Sequence, residues 1–207
     1  MYLYGASGHA KVVLDILKDQ NIPIHGLFDD NPLVQELQGI EVINDKDTPL
    51  NAPLIISIGD NELRSKLSKE LNVEFGTAIH SSAIISESSI IGHGTVVMQG
   101  CIIQAESTIG NHVIINTGAS IDHENVVEDF VHISPHVTLC GNVKVGEGTH
   151  IGASAVVIPN LTIGKWCIIG AGAVVIRDIP DYSTVVGNPA RLIVSSKREL
   201  QHLNSRL

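Results

Sequence analysis

A six-residue period in the second half of the chain is the feature that most constrains its fold. Stepping by six from Ile79 to Val175 meets Ile, Val or Leu at every step. A hexapeptide is too short for a helical repeat, but three hexapeptides per coil form a triangular prism whose repeated aliphatic side chains stack inward. The sequence therefore predicts an all-β parallel β-helix over residues 77–180, with roughly 18 residues per coil.

Glycine directly follows the repeated aliphatic residue in several hexapeptides. We expect these glycines to lie at tight corners between strands, where the backbone would adopt φ and ψ values that other residues tolerate poorly. The positions are Gly92, Gly110, Gly146, Gly152, Gly164 and Gly170.

The composition of the chain limits the kind of core it can build and the partners it can bind. Hydrophobic residues make up 43% and aromatic residues 3%, so the core must be built from β-branched side chains. The net charge of −9 argues against nucleic acid or an anionic membrane as the main partner.

The sequence contains no run of about 20 apolar residues, so it predicts no membrane span. The N-terminus has no signal-peptide pattern, so we expect a cytoplasmic protein with reduced thiols at Cys101, Cys140 and Cys167.

Residues 1–76 follow a different pattern, in which short apolar runs alternate with amphipathic segments. The runs at 2–4, 25–28 and 53–58 predict strands, and the segments at 12–17 and 63–70 predict helices. Strand, helix, strand order indicates a small parallel α/β sheet. We therefore predict an N-terminal Rossmann-like subdomain that precedes the β-helix.

Polar turns follow the predicted strands of this subdomain. Because ligands of parallel α/β sheets bind beyond the carboxyl ends of the strands, we expect the turns to line one crevice that binds a nucleotide sugar. Backbone N–H groups at the helix start would bind the diphosphate, and a carboxylate would accept the N3–H of uracil. The predicted substrate-binding residues are Ser7, Gly8, His9, Asp29, Asp30 and Gly59.

Two other interpretations of these turns stay open. Gly5 and Gly8, followed by an acidic residue about 20 positions later, match part of a dinucleotide fingerprint. The full G-x-G-x-x-G pattern is absent, so the indication of an NAD site is weak. In the second interpretation, Asp29 and Asp30 bind no ligand and only form the turn before Asn31.

Several segments together resemble one family, and they span nearly the whole chain. They are YGASGHAKVV, FDDN, IGDNELR, the hexapeptide repeat, IDHENVVEDFVHISP and GNPAR. The chain resembles hexapeptide-repeat sugar acyltransferases of the sialic acid O-acetyltransferase-like group. Within that group it is most similar to bacterial UDP-4-amino-sugar N-acetyltransferases of the bacillosamine pathway. The resemblance implies a left-handed β-helix and a homotrimer with active sites between subunits. It also implies acetyl transfer from acetyl-CoA to the C4 amine of a UDP-linked 4-amino-4,6-dideoxy sugar.

Such a reaction needs a base, because an amine that attacks a thioester must lose a proton. His123 is the natural candidate, since it lies two residues after the inward Ile121, on a strand within the repeat, between Asp122 and Glu124. A carboxylate bonded to one ring nitrogen would fix the tautomer and stabilise the imidazolium. The resemblance assigns the base role to His123 and the supporting role to Glu124.

The resemblance also implies an acetyl-CoA site. His132 matches the position that contacts acetyl-CoA near its thioester, and the backbone around Gly141 would supply an oxyanion donor. Ala153, Ala171 and Gly172 match the prism wall that accommodates the pantetheine and adenine of the cofactor. Ala171 stands where the family prefers glycine.

A metal site is the main alternative use of the histidines. His132 and His150 are one coil apart and would stack on one face, with His123 and His136 nearby in the sequence. Carbonic-anhydrase-like proteins of this fold bind zinc through three histidines that converge across a subunit boundary. The His123–Glu124 pair and the nucleotide-like first domain favour a site without metal.

Two other functions stay open at this stage. O-acetylation of sialic acid or another sugar would use a hydroxyl acceptor, and such an enzyme would bind UDP poorly. A nucleotide-sugar-binding scaffold trimer would not bind acyl-CoA.

Residues 181–207 are predicted to form a C-terminal tail. The segment GNPAR within it matches a segment that lies beside the CoA site in repeat acetyltransferases. Arg191, Lys197 and Arg198 are therefore candidates for contact with the cofactor's phosphates. Residues 195–207 are expected to form a short polar helix or a frayed end.

Overall fold

The computed structural model of the chain describes residues 1–45 and 50–194. Its N-terminal part is a five-stranded sheet with one helix on each face. The elements are β1 Tyr2–Tyr4, α1 Gly8–Asp19, β2 Gly26–Phe28, β3 Glu36–Leu37, β4 Ile40–Ile43, β5 Leu54–Ile56 and α2 Asn61–Glu70.

The strand order of this sheet is β3-β4-β2-β1-β5, and β4, β2, β1 and β5 are mutually parallel. The predicted α/β subdomain is confirmed. The antiparallel pair of β3 and β4 was not predicted, because its short strands mix apolar with charged residues such as Glu36 and Glu41. Leu3 and Leu27 pack with α1, whereas Tyr4 and Phe28 lie on the opposite face with Leu67 of α2.

The second part is a prism of short parallel strands, which confirms the predicted β-helix. In chain order its strands are β6 Ala78–Ile79, β7 Ile84–Ile85, β8 Ile90–Ile91, β9 Val96–Val97, β10 Ile102–Ile103, β11 Thr108–Ile109, β12 Ile114–Ile115, β13 Ser120–Ile121, β14 Val126–Val127, β15 His132–Ile133, β16 Thr138–Leu139, β17 Lys144–Val145, β18 His150–Ile151, β19 Val156–Val157, β20 Thr162–Ile163, β21 Ile168–Ile169, β22 Val174–Val175, β23 Thr184–Val186 and β24 Arg191–Val194.

These strands form three sheets, which we call faces 1, 2 and 3. Face 1 contains β6, β9, β12, β15, β18 and β21 and ends with β23 and β24, face 2 runs from β7 to β22, and face 3 runs from β8 to β20. From β6 to β22, each strand pairs with the one 18 residues away, as Ile103 does with Ile121. The repeated aliphatic side chains from Val97 onward are buried in the interior. This architecture is consistent with the left-handed winding that the family resemblance implies.

The structure corrects the role expected for the repeated glycines. The left-handed backbone conformation occurs two residues after them, often at a residue other than glycine, as at His112 (φ 54°) and Ser154 (φ 58°). The glycines themselves lie where successive coils approach closely. A Cβ atom at Gly152 would lie 2.6 Å from the backbone nitrogen of Ala171 in the next coil. Lack of space, and not backbone conformation, therefore requires glycine there.

Arg64 of α2 joins the first domain to the prism. Its side chain is 1% exposed. The guanidinium donates to the carbonyl oxygens of His112 (2.8 Å) and Phe130 (2.8 Å) on two successive coils. It also donates to the carbonyl oxygens of Ile58 (3.0 Å) and Gly59 (3.2 Å) in the turn after β5. A buried cation thus holds this turn against the corner between faces 3 and 1, and burial lowers the pKa of Arg64 to about 10.

The last described residues continue the prism. Within the predicted C-terminal tail, β23 pairs in parallel with β21 and then in antiparallel fashion with β24. Lys197 and Arg198 lie outside the described residues, as does the helix or frayed end expected for 195–207. Within the described part of the chain, no helix is both long and apolar enough to cross a lipid bilayer.

Replacement of Arg64 by methionine is expected to lower the free energy of unfolding by about 3 kcal/mol or more, because several buried carbonyl oxygens lose their donors. Urea denaturation followed by circular dichroism measures the change. The control is Lys66→Met on the same helix, an exposed site whose ion pair with Glu70 spans 3.8 Å. We expect a change within about 0.5 kcal/mol there. Equal losses in the two variants would contradict the anchoring role.

Candidate active site

His123 lies in the turn that joins face 2 to face 3, between β13 and β14. This corrects the expected location on a strand. Its Nδ1 is 2.9 Å from Oε2 of Glu124, and the two side chains are 55% and 59% exposed. When Nδ1–H donates to the carboxylate, the lone pair of Nε2 is left to accept a proton. The backbone N–H of His123 donates to Oδ1 of Asp122 (2.8 Å).

Gly141 lies directly against the His123 ring, one coil further along the chain. A Cβ atom at Gly141 would lie 2.6 Å from Cε1 and 2.7 Å from Nε2 of that ring. The carbonyl oxygen of Gly141 accepts from the N–H of Asn160 (3.1 Å), but its own N–H donates to no group in residues 1–45 or 50–194. A free backbone donor and a candidate base therefore lie side by side.

His132 lies on the outer surface of face 1, beneath the first domain. Its ring stacks on that of His150, with centroids 4.8 Å apart and planes at 7°. This confirms the stacking predicted from their spacing of one coil. Burial, followed by the nearby His150 and Arg64, lowers the pKa of His132 to about 3. A hydrogen bond with the backbone of Gly59 raises this pKa. The same bond shows that the ring of His132 faces the turn after β5.

The three turns after β1, β2 and β5 are in contact with one another. Gly5 (φ 104°) packs so closely on the turn after β5 that a Cβ atom there would lie 2.6 Å from Cγ1 of Ile58. Oδ2 of Asp29 accepts from the N–H of Ala6 (2.7 Å), and its Oδ1 accepts from the N–H of Asn31 (2.9 Å). Both oxygens of Asp29 thus bind the backbone, as expected of a turn-forming residue.

The remaining predicted substrate-binding residues surround these turns. Ser7 and Gly8 are exposed at the start of α1, which has no acidic residue in its first turn. Asp30 is exposed, and its Oδ1 accepts from the Tyr4 hydroxyl (2.5 Å). His9 is partly buried, and its Nε2 has no hydrogen-bond partner among the described residues. Burial, and then the charge of Arg64, lowers the pKa of His9 to about 4.

The residues expected to contact acetyl-CoA lie along one edge of the prism. Ala153 follows β18, and Ala171 and Gly172 follow β21, at the corner between faces 1 and 2. The N–H of Gly172 donates to the carbonyl oxygen of Ala153 (2.8 Å), which places the two positions on successive coils. Gly172 has φ of 68° and open space on the side of its missing Cβ. These small, partly exposed residues form a wall with room beside it.

A single chain does not bring all of these groups together. In a triangular prism, the corner between faces 2 and 3 lies opposite face 1. His123 occupies that corner, whereas His132 and the first domain lie on face 1. The candidate base and the predicted sugar-binding turns of one chain are therefore on opposite sides of the prism. They can form one site only if a second copy supplies the other half.

No three His, Cys, Asp or Glu side chains within the described residues are placed to hold one metal ion. His132 and His150 stack together on face 1, while His123 and His136 lie in turns at two different corners of the prism. Cys101, Cys140 and Cys167 are free thiols, as predicted. The sequence did not single out Arg64, whose charge lowers the pKa of four histidines: His9, His112, His132 and His150.

Comparison with known proteins gives matches to both parts of the chain. The model of the PglD N-terminal domain matches residues 1–71, and that of the bacterial transferase hexapeptide, with six repeats, matches residues 142–177. The crystal structure of PerB from Caulobacter crescentus, in complex with CoA and GDP-perosamine, is 38% identical with a TM-score of 0.89. The alignment covers 93% of this chain and 96% of PerB.

Two further structures are similar over their whole length. The acetyltransferase domain of PglB from Neisseria gonorrhoeae, in complex with acetyl coenzyme A, is 34% identical with a TM-score of 0.86. WeeI from Acinetobacter baumannii is 26% identical with a TM-score of 0.75. Each alignment covers 93% of this chain and 98% of the other.

A curated relative is the uncharacterized protein L142 of Acanthamoeba polyphaga mimivirus. It is 43% identical over 96 residues, which are 44% of this chain. The matched segment spans 20% of that viral protein.

Replacement of Gly141 by alanine is expected to displace the His123 ring, because the new methyl group would occupy the space of Cε1 and Nε2. The backbone φ of Gly141 is not in the left-handed region, so alanine should leave the fold intact. We expect turnover to fall by about 100-fold, as for a misplaced catalytic group, with the melting temperature nearly unchanged.

Gly100→Ala serves as the control for this variant. Gly100 has φ of 69° and open space at its Cβ position, so alanine there should cost stability through backbone strain without touching the His123 ring. Turnover by Gly141→Ala at the wild-type rate would contradict the close packing.

Proposed function

Because this chain belongs to the family of hexapeptide-repeat sugar N-acetyltransferases, we propose that it acetylates the C4 amine of a UDP-linked 4-amino-4,6-dideoxy sugar, with His123 as the base. The protein is an acetyl-CoA-dependent sugar acetyltransferase, a class supported by its similarity over nearly the whole length to PerB and the PglB domain. The observation that carries the mechanism is the 2.9 Å contact between Nδ1 of His123 and the Glu124 carboxylate.

The proposed reaction is a direct attack of the amine on the thioester. The amine nitrogen forms a bond to the acetyl carbon, and the carbonyl electron pair moves onto oxygen. Nε2 of His123 accepts the proton that the nitrogen loses, while Glu124 stabilises the imidazolium through Nδ1–H. Collapse of the intermediate breaks the C–S bond, and the departing CoA sulfur takes the proton from Nε2. The products are the N-acetyl sugar and free CoA thiol.

Gly141 is the proposed donor to the oxyanion. Its N–H donates to no other group of the described chain and lies beside the ring that holds the incoming proton. A backbone N–H aimed at the developing negative charge lowers the barrier without reorganisation during the reaction. Ala153, Ala171 and Gly172 would hold the pantetheine and adenine of acetyl-CoA by shape, and His132 would contact the cofactor near its thioester.

The acceptor would bind at the turns of the first domain. The N-terminus of α1, with Ser7 and Gly8 exposed and no acidic residue in its first turn, favours the diphosphate. His9 and Gly59 adjoin the same turns. The Asp30 carboxylate, oriented by Tyr4, would accept an N–H of the nucleobase, since both oxygens of Asp29 already bind the backbone. The N1–H of guanine offers the same chemistry as the N3–H of uracil, and the complex of PerB with GDP-perosamine makes a GDP-linked sugar the second candidate.

We further propose a homotrimer in which each active site joins two subunits. The positions of His123 and the first domain on opposite sides of one prism support this arrangement. Exposed aliphatic side chains on faces 2 and 3, among them Ile84 (66% exposed) and Ile90 (65% exposed), offer apolar surface for subunit contact.

The acceptor is identified by release of CoA thiol from acetyl-CoA in the presence of three compounds. They are a UDP-linked and a GDP-linked 4-amino-4,6-dideoxy sugar, and a sialic acid. We expect the UDP-linked amine to react fastest and the sialic acid not to react. Preference for the GDP-linked amine would correct the nucleotide, whereas turnover of the sialic acid alone would contradict N-acetylation. His123→Ala should lower turnover by about 1,000-fold, while His93→Ala, an exposed histidine at another corner, should not.

Hybrid trimers test the shared site. Neither His123→Ala nor Gly8→Asp, which places a carboxylate at the proposed diphosphate site, should be active alone. When the two variants are denatured and refolded together in equal amounts, roughly a quarter of the sites should combine an intact His123 with an intact first domain from a neighbour. Recovery of about that fraction of activity is expected. Absence of recovery, with mixed trimers demonstrated by mass spectrometry, would contradict a site formed by two subunits.

A further inference from the structure

Polar side chains at inward turn positions form bridges between successive coils. In each case the side chain donates to the carbonyl oxygen 15 residues later and accepts from the backbone N–H 18 residues later. Thr95 bridges Gly110 and Val113 in this way, and Thr149 bridges Gly164 and Cys167. The residues that share this pattern are Thr95, Ser107, Asn125 and Thr149.

Asn125 makes the same bridge and adds bonds that the others lack. Its Nδ2 donates to Cys140 O (3.1 Å), and its Oδ1 accepts from the N–H of Val143 (3.1 Å). The same Nδ2 also lies 2.6 Å from Asp122 O and 3.3 Å from His123 O in its own turn, so its two hydrogens are shared among three carbonyl oxygens. The side chain is fully buried, at 0% exposure. The single amide at these four positions thus lies in the turn that carries His123.

These additional bonds address a specific problem of the His123 turn. His123 and Glu124 are more than half exposed, so side-chain packing alone does not hold the ring in place. The Asn125 amide binds the carbonyl groups of Asp122 and His123, and it binds Cys140, the residue before Gly141. One buried group therefore connects the turn of the base to the strand end that presents the free N–H of Gly141.

We propose that Asn125 is a positioning residue, which fixes His123 relative to the backbone N–H of Gly141. This inference rests on the proposed function, in which those two groups act on the same thioester. A displacement of about 1 Å in such a pair can lower turnover by about 100-fold, because proximity and orientation supply much of the rate. The amide acts through backbone carbonyls and touches no reacting atom.

Serine at position 125 separates positioning from stability. Ser107 lies at the same corner one coil earlier and makes only the bridge, to Asp122 O (2.8 Å) and from the N–H of Asn125 (3.3 Å). Asn125→Ser can therefore keep the bridge to Cys140 and Val143, but its shorter side chain loses the bonds within the His123 turn. Thr95→Val removes a bridge at a different corner and serves as the matched control.

The experiment measures kcat, both KM values and the melting temperature of the full-length wild type, Asn125→Ser and Thr95→Val. We expect Asn125→Ser to lose at least about tenfold in kcat with its KM values and melting temperature close to those of the wild type. Thr95→Val should show the reverse, a lower melting temperature with kcat unchanged. A kcat of Asn125→Ser within about twofold of the wild type would overturn the proposal.

A second measurement does not depend on turnover. Long-range ¹H–¹⁵N spectra of the imidazole report the tautomer and order of His123 in each variant. We expect one Nδ1–H tautomer in the wild type and in Thr95→Val, and averaged signals in Asn125→Ser. Identical spectra in all three proteins would overturn the proposal even if the wild type acetylated none of the amino sugars. Failure of the proposed function would instead appear as inactivity of the wild type itself.

Discussion

The 18-residue register of the prism is the constraint on which the rest of the structure depends. Every strand hydrogen-bonds to the strand one coil away, and the inward aliphatic side chains stack in columns that exclude water. This register converts a sequence separation into a contact. It places Gly141 against the ring of His123 and His150 on the ring of His132. The candidate site is therefore built from pairs of residues that the repeat holds next to each other.

The second determinant is the packing of the first domain on face 1. Arg64 reaches the carbonyl oxygens of two coils, so a buried positive charge lies beneath this interface, and no carboxylate of the described residues is bonded to it. Its field helps to keep His9 and His132 neutral, in the form that can accept a hydrogen bond from a ligand. The same packing places the turn after β5 over His132 on face 1 and leaves His123 at its corner exposed. That asymmetry is the observation that supports the proposal of a site shared between two copies of the chain.

Several interpretations made from the sequence needed the structure for correction. The glycines after the repeated aliphatics were assigned to unusual φ values, but they are required because coils approach closely at positions such as Gly152. Asp29 could have been a ligand or a turn residue, and its bonds to two backbone N–H groups match the second role. Asn125 was overlooked, although an amide at an inward position of an otherwise small or apolar column is a signal that the sequence contains.

The sequence by itself determined the β-helix and the α/β subdomain before it, and it singled out His123 and Glu124 as candidates for the base and its partner. It could do so because a period of six specifies which side chains point inward and which residues become neighbours one coil apart. Only the tertiary structure decided that the first domain packs over His132 on face 1, and that Asn125 binds the His123 turn. The packing of the first domain depends on contacts between residues far apart in sequence, such as Arg64 with Phe130, for which no period exists.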